Sequence, residues 1–202
     1  MSEAMIFWDV DTQVDFIRPT GRLYVPGAEE IVPNLRGLTL WANRHDVLIV
    51  ASMCAHREGD PEFQQYPLHC LVGTPGQEKI PETRLPKQAV IPSIPVKVPP
   101  NLHDYSQVIL EKQQFDVFAN PNTEAVLAVL GKEPEIVLYG LVTEICVACA
   151  ARGLLDRGHR LTVVRDAVHH LDESKANAML AEIEHRGGKI VSMREVLKEQ
   201  AA

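Results

Sequence analysis

Residues 135–154 read EIVLYGLVTEICVACAARGL. The first five, Glu135–Tyr139, are mostly apolar and read as a buried strand. Glycine interrupts the run at 140, and small and apolar side chains then recur at helical spacing over Thr143–Arg157. A strand without polar alternation that feeds directly into a helix belongs to a parallel sheet covered on both faces.

The same rhythm extends in both directions. Toward the N-terminus, Met5–Val10, Val47–Ser52 and Gln107–Leu110 read as strands. Ala28–Arg44 reads as a helix with Ile31, Leu35, Leu38 and Ala42 on one face, and Asn122–Leu130 as another, with Asn122 or Thr123 near its N-cap. Toward the C-terminus come strand Arg160–Val164, helix Glu173–Arg186 closed by Gly187–Gly188, strand Lys189–Ser192 and helix Met193–Glu199. The expected fold class is α/β: a three-layer, doubly wound (Rossmann-like), mostly parallel sheet with helices on both faces. A single domain is expected over residues 1–202. The stretch 53–105 breaks the rhythm, and half of the fourteen prolines lie between Pro75 and Pro100. Neither side of it makes a complete sheet alone, so it reads as an ordered excursion that builds a site rather than a linker.

Composition narrows the function. Of 202 residues, 46% are hydrophobic and 23% charged, and the net charge is −7. Without a basic run, nucleic acid and anionic membrane are not expected partners. No apolar stretch is long enough to span a bilayer, and the start MSEAMIFWDVD lacks a basic n-region and reaches acid within its first eleven residues, so it does not read as a signal peptide. A cytoplasmic location is expected. The four cysteines, Cys54, Cys70, Cys146 and Cys149, then read as free thiols rather than a disulfide framework. No G-x-G-x-x-G follows the first strand, which sets aside a dinucleotide oxidoreductase, and no organic cofactor is expected.

Three residues follow three strands at the edge where such sheets bind ligands. Cys146 falls in the first turn of a helix that Thr143 is expected to cap, where dipole and backbone N–H groups favour thiolate and can hold an oxyanion. Asp11, in FWDVDTQVDF (Phe7–Phe16), can take a proton from a nucleophile, with Asp9 and Asp15 as competitors. Lys112, in VILEKQQFDVF (Val108–Phe118), can hold a neighbouring group in its charged form. Singly, each has a bland reading: a small buried thiol, a turn cap, a solvated strand end. Cys149 is expected to be such a packing residue.

Taken in order, DTQVDF (Asp11–Phe16), PLHCLVGTPG (Pro67–Gly76), the strand-end Lys112 and GLVTEIC (Gly140–Cys146) resemble the isochorismatase-like cysteine hydrolases, which include nicotinamidases and carbamoyl-amide hydrolases. The resemblance implies a triad of Asp11, Lys112 and Cys146. It further implies a cis peptide at Leu141–Val142, with the N–H groups of Val142 and Cys146 as an oxyanion hole. Phe16 and Tyr66 match the aromatic sandwich around a planar ring, with Ile145 and Phe115 as further candidate pocket residues. For these, and for Phe118, core packing is the competing reading.

Nicotinamidases of the family hold a metal with an Asp-x-His pair, a further His and the His of P-x-H-C. Here the pair is replaced by Cys54-Ala55-His56. His69 matches the last ligand, and Glu62 is the nearest candidate for the middle one. Cys54, His56, Glu62 and His69 would suit Zn2+. The alternative is a site without metal, with Cys54 merely buried. His169–His170 is expected in a loop or helix start beside a turn residue, Asp166, and His45, His103, His159 and His185 at the surface.

The implied activity is cleavage of a small amide through a thioester, as in the conversion of nicotinamide to nicotinate and ammonia. A metal-free relative acting on an N-carbamoyl amide or an isochorismate-type substrate is the second reading. A non-catalytic binding or scaffold protein is the third. The expected partner is a small-molecule amide, and the family resemblance implies a homo-oligomer.

Overall fold

The computed structural model describes residues 4–199. Seven strands make one sheet: β1 (Met5–Val10), β2 (Ile49–Cys54), β3 (Gln88–Ile91), β4 (Gln107–Lys112), β5 (Glu135–Leu141), β6 (Leu161–His169) and β7 (Lys189–Val191). Their order is β3-β4-β2-β1-β5-β6-β7, and every pairing is parallel. The helices are α1 (Val14–Ile17), α2 (Val32–Arg44), α3 (Thr123–Leu130), α4 (Ala148–Asp156), α5 (Glu173–His185) and α6 (Met193–Glu199).

Strand alternation divides the core in two. Ile6, Trp8 and Val10 of β1 pack with Val126 of α3, Leu154 of α4 and Met179 of α5. Phe7, between them, packs on the opposite face with Leu35 and Leu38 of α2 and Val196 of α6. Both faces are thus removed from water, which is why the strands read as unbroken apolar runs. The three-layer, doubly wound α/β architecture follows directly.

The structure departs from the expected boundaries where local signals compete with tertiary ones. β3 lies inside the proline-rich excursion and pairs with β4 from Gln88↔Gln107 to Ile91↔Leu110. Two asparagines hold the proline segment down. Asn120 Nδ2 donates to the carbonyls of Ile91, Pro92 and Glu111, and Asn122 Nδ2 to those of Pro92 and Ile94. Asn122 is the N-cap of α3 but makes no side-chain cap bond, because its amide serves this loop instead.

β6 continues to His169, with a register shift opposite Leu138/Gly140. Asp166 and His169 therefore lie in a strand rather than a turn or helix start. Thr143 does not cap the helix after β5. That helix opens with a π-turn, Thr143–Val147, with Val142 at the N-cap position, and Thr143 Oγ1 donates to His169 O at 2.8 Å. His159, expected at the surface, is buried, whereas His45, His103 and His185 are exposed.

Gly140 shows what the central register demands. It pairs with Val10, its φ is +116°, and a Cβ there would stand 2.1 Å from Val10 O. Only glycine avoids both the strain and the backbone clash. Gly140→Ala is expected to destabilise the protein by about 3 kcal/mol or more, read as a lower midpoint in urea unfolding.

Candidate active site

From β1 the chain lays β2 beside it, then β3 at the far edge and β4 between β3 and β2, and returns through β5 on the other side of β1. The switch point is therefore between β1 and β5, and ligands in such sheets bind beyond the strand ends there. Asp11 follows β1 immediately and Cys146 sits five residues beyond β5, while Cys54 and Lys112 close β2 and β4 opposite each other in register.

These side chains converge. Lys112 Nζ is 2.8 Å from Asp11 Oδ2, 3.6 Å from Cys146 Sγ and 3.3 Å from Cys54 Sγ, and it donates to Gln114 O at 3.0 Å. Asp11 and Lys112 are both about 1% exposed. Asp11 takes a left-handed φ of +51°, and its Oδ1 accepts from Ser52 Oγ at 2.7 Å. A carboxylate fixed on both oxygens, one by a hydroxyl and one by an ammonium, has little freedom to turn from the thiol.

Electrostatics correct one expectation. Burial alone would lower the Lys112 pKa, but the Asp11 carboxylate beside it keeps the ammonium well above its ordinary value. Cys146 is partly buried at the cavity wall. That burial pushes the thiol well up, and Lys112 opposes it only in part. Burial thus works against the thiolate that a helix start favours, and Lys112 works for it.

The competing acids are occupied elsewhere. Asp9 is buried against Lys79, with Nζ 2.8 Å from Oδ2, and Thr12 bonds both. Asp15 accepts from the backbone N–H groups of Cys70 at 2.7 Å and Arg22 at 3.0 Å. The peptide Leu141–Val142 is cis.

Three of the four candidate metal ligands come together. His56, Glu62 and His69 present ligand atoms within 4.8 Å of one another. Asp60 Oδ2 lies 2.9 Å from His56 Nδ1, and Pro67 O 2.8 Å from His69 Nδ1. These partners fix both rings with Nε2 turned toward Glu62 Oε1, at 4.0 and 3.5 Å. His56 Nε2 is buried without a hydrogen-bond partner. An orphaned imidazole nitrogen facing a carboxylate and a second imidazole fits a divalent cation such as zinc. Cys54 is not in this group. Its thiol lies against Lys112, and burial pushes it up to about 12.

A cavity of about 100 Å³ joins the two clusters. All four expected pocket residues, Phe16, Tyr66, Phe115 and Ile145, line it, together with Asp11, Cys54, Glu62, His69, Val142 and Cys146. Tyr66 and Phe115 meet edge to face at 6.1 Å, and Phe16 packs on His69 at 5.5 Å. Phe118 lies elsewhere, under the guanidinium of Arg157. The sequence reading missed Leu23, Tyr24, Val25 and Leu171, loop residues with no periodic signal, that also form walls. It missed Ser52 too, although a lone hydroxyl closing the run VLIVAS was visible.

Fold and site together define an isochorismatase-like α/β hydrolase. The isochorismatase domain family matches residues 3–195, and the chain belongs to that family. It is 30% identical over 158 residues to a streptothricin hydrolase from Streptomyces noursei, covering 78% of this chain but only 47% of that protein's length. A pyrazinamidase of Pyrococcus horikoshii, solved in complex with zinc, superposes with a TM-score of 0.75 at 27% identity over 93% of this chain and 98% of that one. An N-carbamoylsarcosine amidase from Thermoplasma acidophilum gives 0.73 at 26% identity over 94% and 96%. No helix among the described residues is long and apolar enough to cross a membrane.

Proposed function

We propose that the protein is a cysteine amidohydrolase that cleaves a small amide of the nicotinamide type through a thioester. The observation that carries this reading is the meeting of Asp11, Lys112 and Cys146, with the acid and the thiol lining a mostly apolar cavity and the lysine in contact with both. Asp11 takes the Cys146 proton as the sulfur attacks the amide carbonyl. Charge then develops on the carbonyl oxygen, and the N–H groups of Val142 and Cys146 receive it. Asp11 passes the proton to the leaving amine, and water hydrolyses the thioester by the same sequence. Lys112, in contact with both, holds the carboxylate close to the sulfur.

The aromatic walls formed by Phe16, Tyr66 and Phe115 favour a planar substrate. His56, Glu62 and His69 would hold zinc, which supplies a Lewis acid to grip a donor atom of the substrate. Loss of one ligand should be visible without any turnover. His69→Ala is expected to weaken zinc binding at least 10-fold in competition with a chromophoric chelator, and unchanged affinity would remove the site from this reading.

Ammonia release from nicotinamide, with Cys146→Ala as the blank, tests the substrate. The resemblance to an N-carbamoylsarcosine amidase favours a second reading, an N-carbamoyl amide, and the same assay on such an amide separates the two. The thiol weighs against isochorismate-type chemistry, which needs no nucleophile. Inertness of Cys146 toward every amide tested and toward iodoacetamide would leave a binding or scaffold protein.

A further inference from the structure

The cavity has two thiols, and the reaction uses one. Cys54 and Cys146 both line it and both lie against the same ammonium, at 3.3 and 3.6 Å from Lys112 Nζ. No more than about 7 Å can therefore separate the two sulfurs. We propose that Cys54 is a resolving thiol, and that hydroperoxides convert the Cys54–Cys146 pair into a reversible disulfide.

Peroxide reaches Cys146 by the route an amide takes. The Cys146 sulfur attacks one peroxide oxygen and becomes sulfenic acid, while the other oxygen takes up a proton, balanced by the one the thiol gives up, and leaves as water from hydrogen peroxide or as the alcohol from an organic hydroperoxide. Sulfur is oxidised and the peroxide reduced. Cys54 sulfur then attacks the Cys146 sulfur. The S–O bond breaks, the Cys54 proton leaves with the hydroxyl as water, and an S–S bond forms. Rotation of the two side chains between staggered positions, with a small shift of the turn 143–147, closes the gap. An external dithiol restores both thiols by exchange.

The other two cysteines are placed less well. Cys149 is only three residues from Cys146, but it does not line the cavity and has no hydrogen bond to Lys112. Cys70 is fully buried, with its Sγ directed to Gly76 O at 3.9 Å. Neither meets an oxidised Cys146 across open space. The pairing would also protect Cys146 from irreversible over-oxidation, since a disulfide cannot proceed to sulfinic acid without first being reduced.

The test is peptide mapping of the whole protein after brief treatment with hydrogen peroxide, digested with trypsin without reductant. The expected product joins peptide 45–57, which carries Cys54, to peptide 133–152, and dithiothreitol releases both. Because peptide 133–152 holds Cys146 and Cys149, the same experiment is run on Cys149→Ser, where the cross-link is expected to persist. Cys54→Ser is expected to lose it and to accumulate sulfinic acid on Cys146. A Cys146–Cys149 bridge, a link to the Cys70 peptide, or Cys146 oxidised while peptide 45–57 keeps a free thiol would each overturn the proposal. The readout is a mass, so it stands whether or not nicotinamide proves to be the substrate.

Discussion

Cys146→Ala is expected to abolish the proposed amide hydrolysis and to leave the fold intact. The expected loss is at least about 10³-fold in kcat, since removal of a covalent nucleophile eliminates the reaction path rather than weakening it. The fold should survive because the side chain is small and lies at a cavity wall, so its loss opens little new space. Circular dichroism and the thermal midpoint should match those of the unmodified protein within a few degrees. A variant that folds and still turns over at a comparable rate would exclude the thioester path.

Lys112→Met should cost both stability and activity, and the double substitution with Asp11→Asn separates the two. Removing the ammonium strands a carboxylate that is almost fully buried. An uncompensated buried charge of this kind costs about 3–5 kcal/mol, which for a chain of this size lowers the thermal midpoint by on the order of 10 °C. Adding Asp11→Asn removes the stranded charge and should return a large part of that stability. Activity should not return, because no base remains beside the thiol. If the double variant were as unstable as the single one, the ion pair would not be what holds this corner together. If the single variant kept full activity, Lys112 would have no part in the chemistry.

The fold was legible where packing repeats along the chain. β1, β2, β4 and β5 announce themselves because both of their faces are buried, and the facing helices because one side is. β3 was not legible. It is four residues long, sits at a sheet edge among prolines, and pairs on one side only. The continuation of β6 was hidden by Arg165 and Asp166, which are exposed near the register shift, and Asp166 reads as a turn residue. The candidate site follows the same division. Asp11, Lys112 and Cys146 could be picked out because each follows a strand, and topology alone brings strand ends together. The partners of Cys54 could not. Its strand ends at that residue, so Cys54 and His56 no longer share a face, and the thiol joins the lysine while the imidazole joins Glu62. Walls built from loops, such as Tyr24 and Leu171, depend on long-range contacts that no local pattern records.

The pairing of β1 with β5 has a consequence for how the protein is made. Val10 finds its partner only at Gly140. A ribosome has therefore released most of the chain before the middle of the sheet can close. Until then one edge of β1 stays open, with Phe7 and Trp8 exposed to pairing with the wrong strand. Emerging chains must be shielded or must wait, and the loop closure that ends the wait spans well over a hundred residues, which makes it slow. The acid and the thiol lie at opposite ends of that span. A fragment that stops short of β5 lacks the proposed nucleophile, so a half-made chain is expected to be chemically silent however long it lingers.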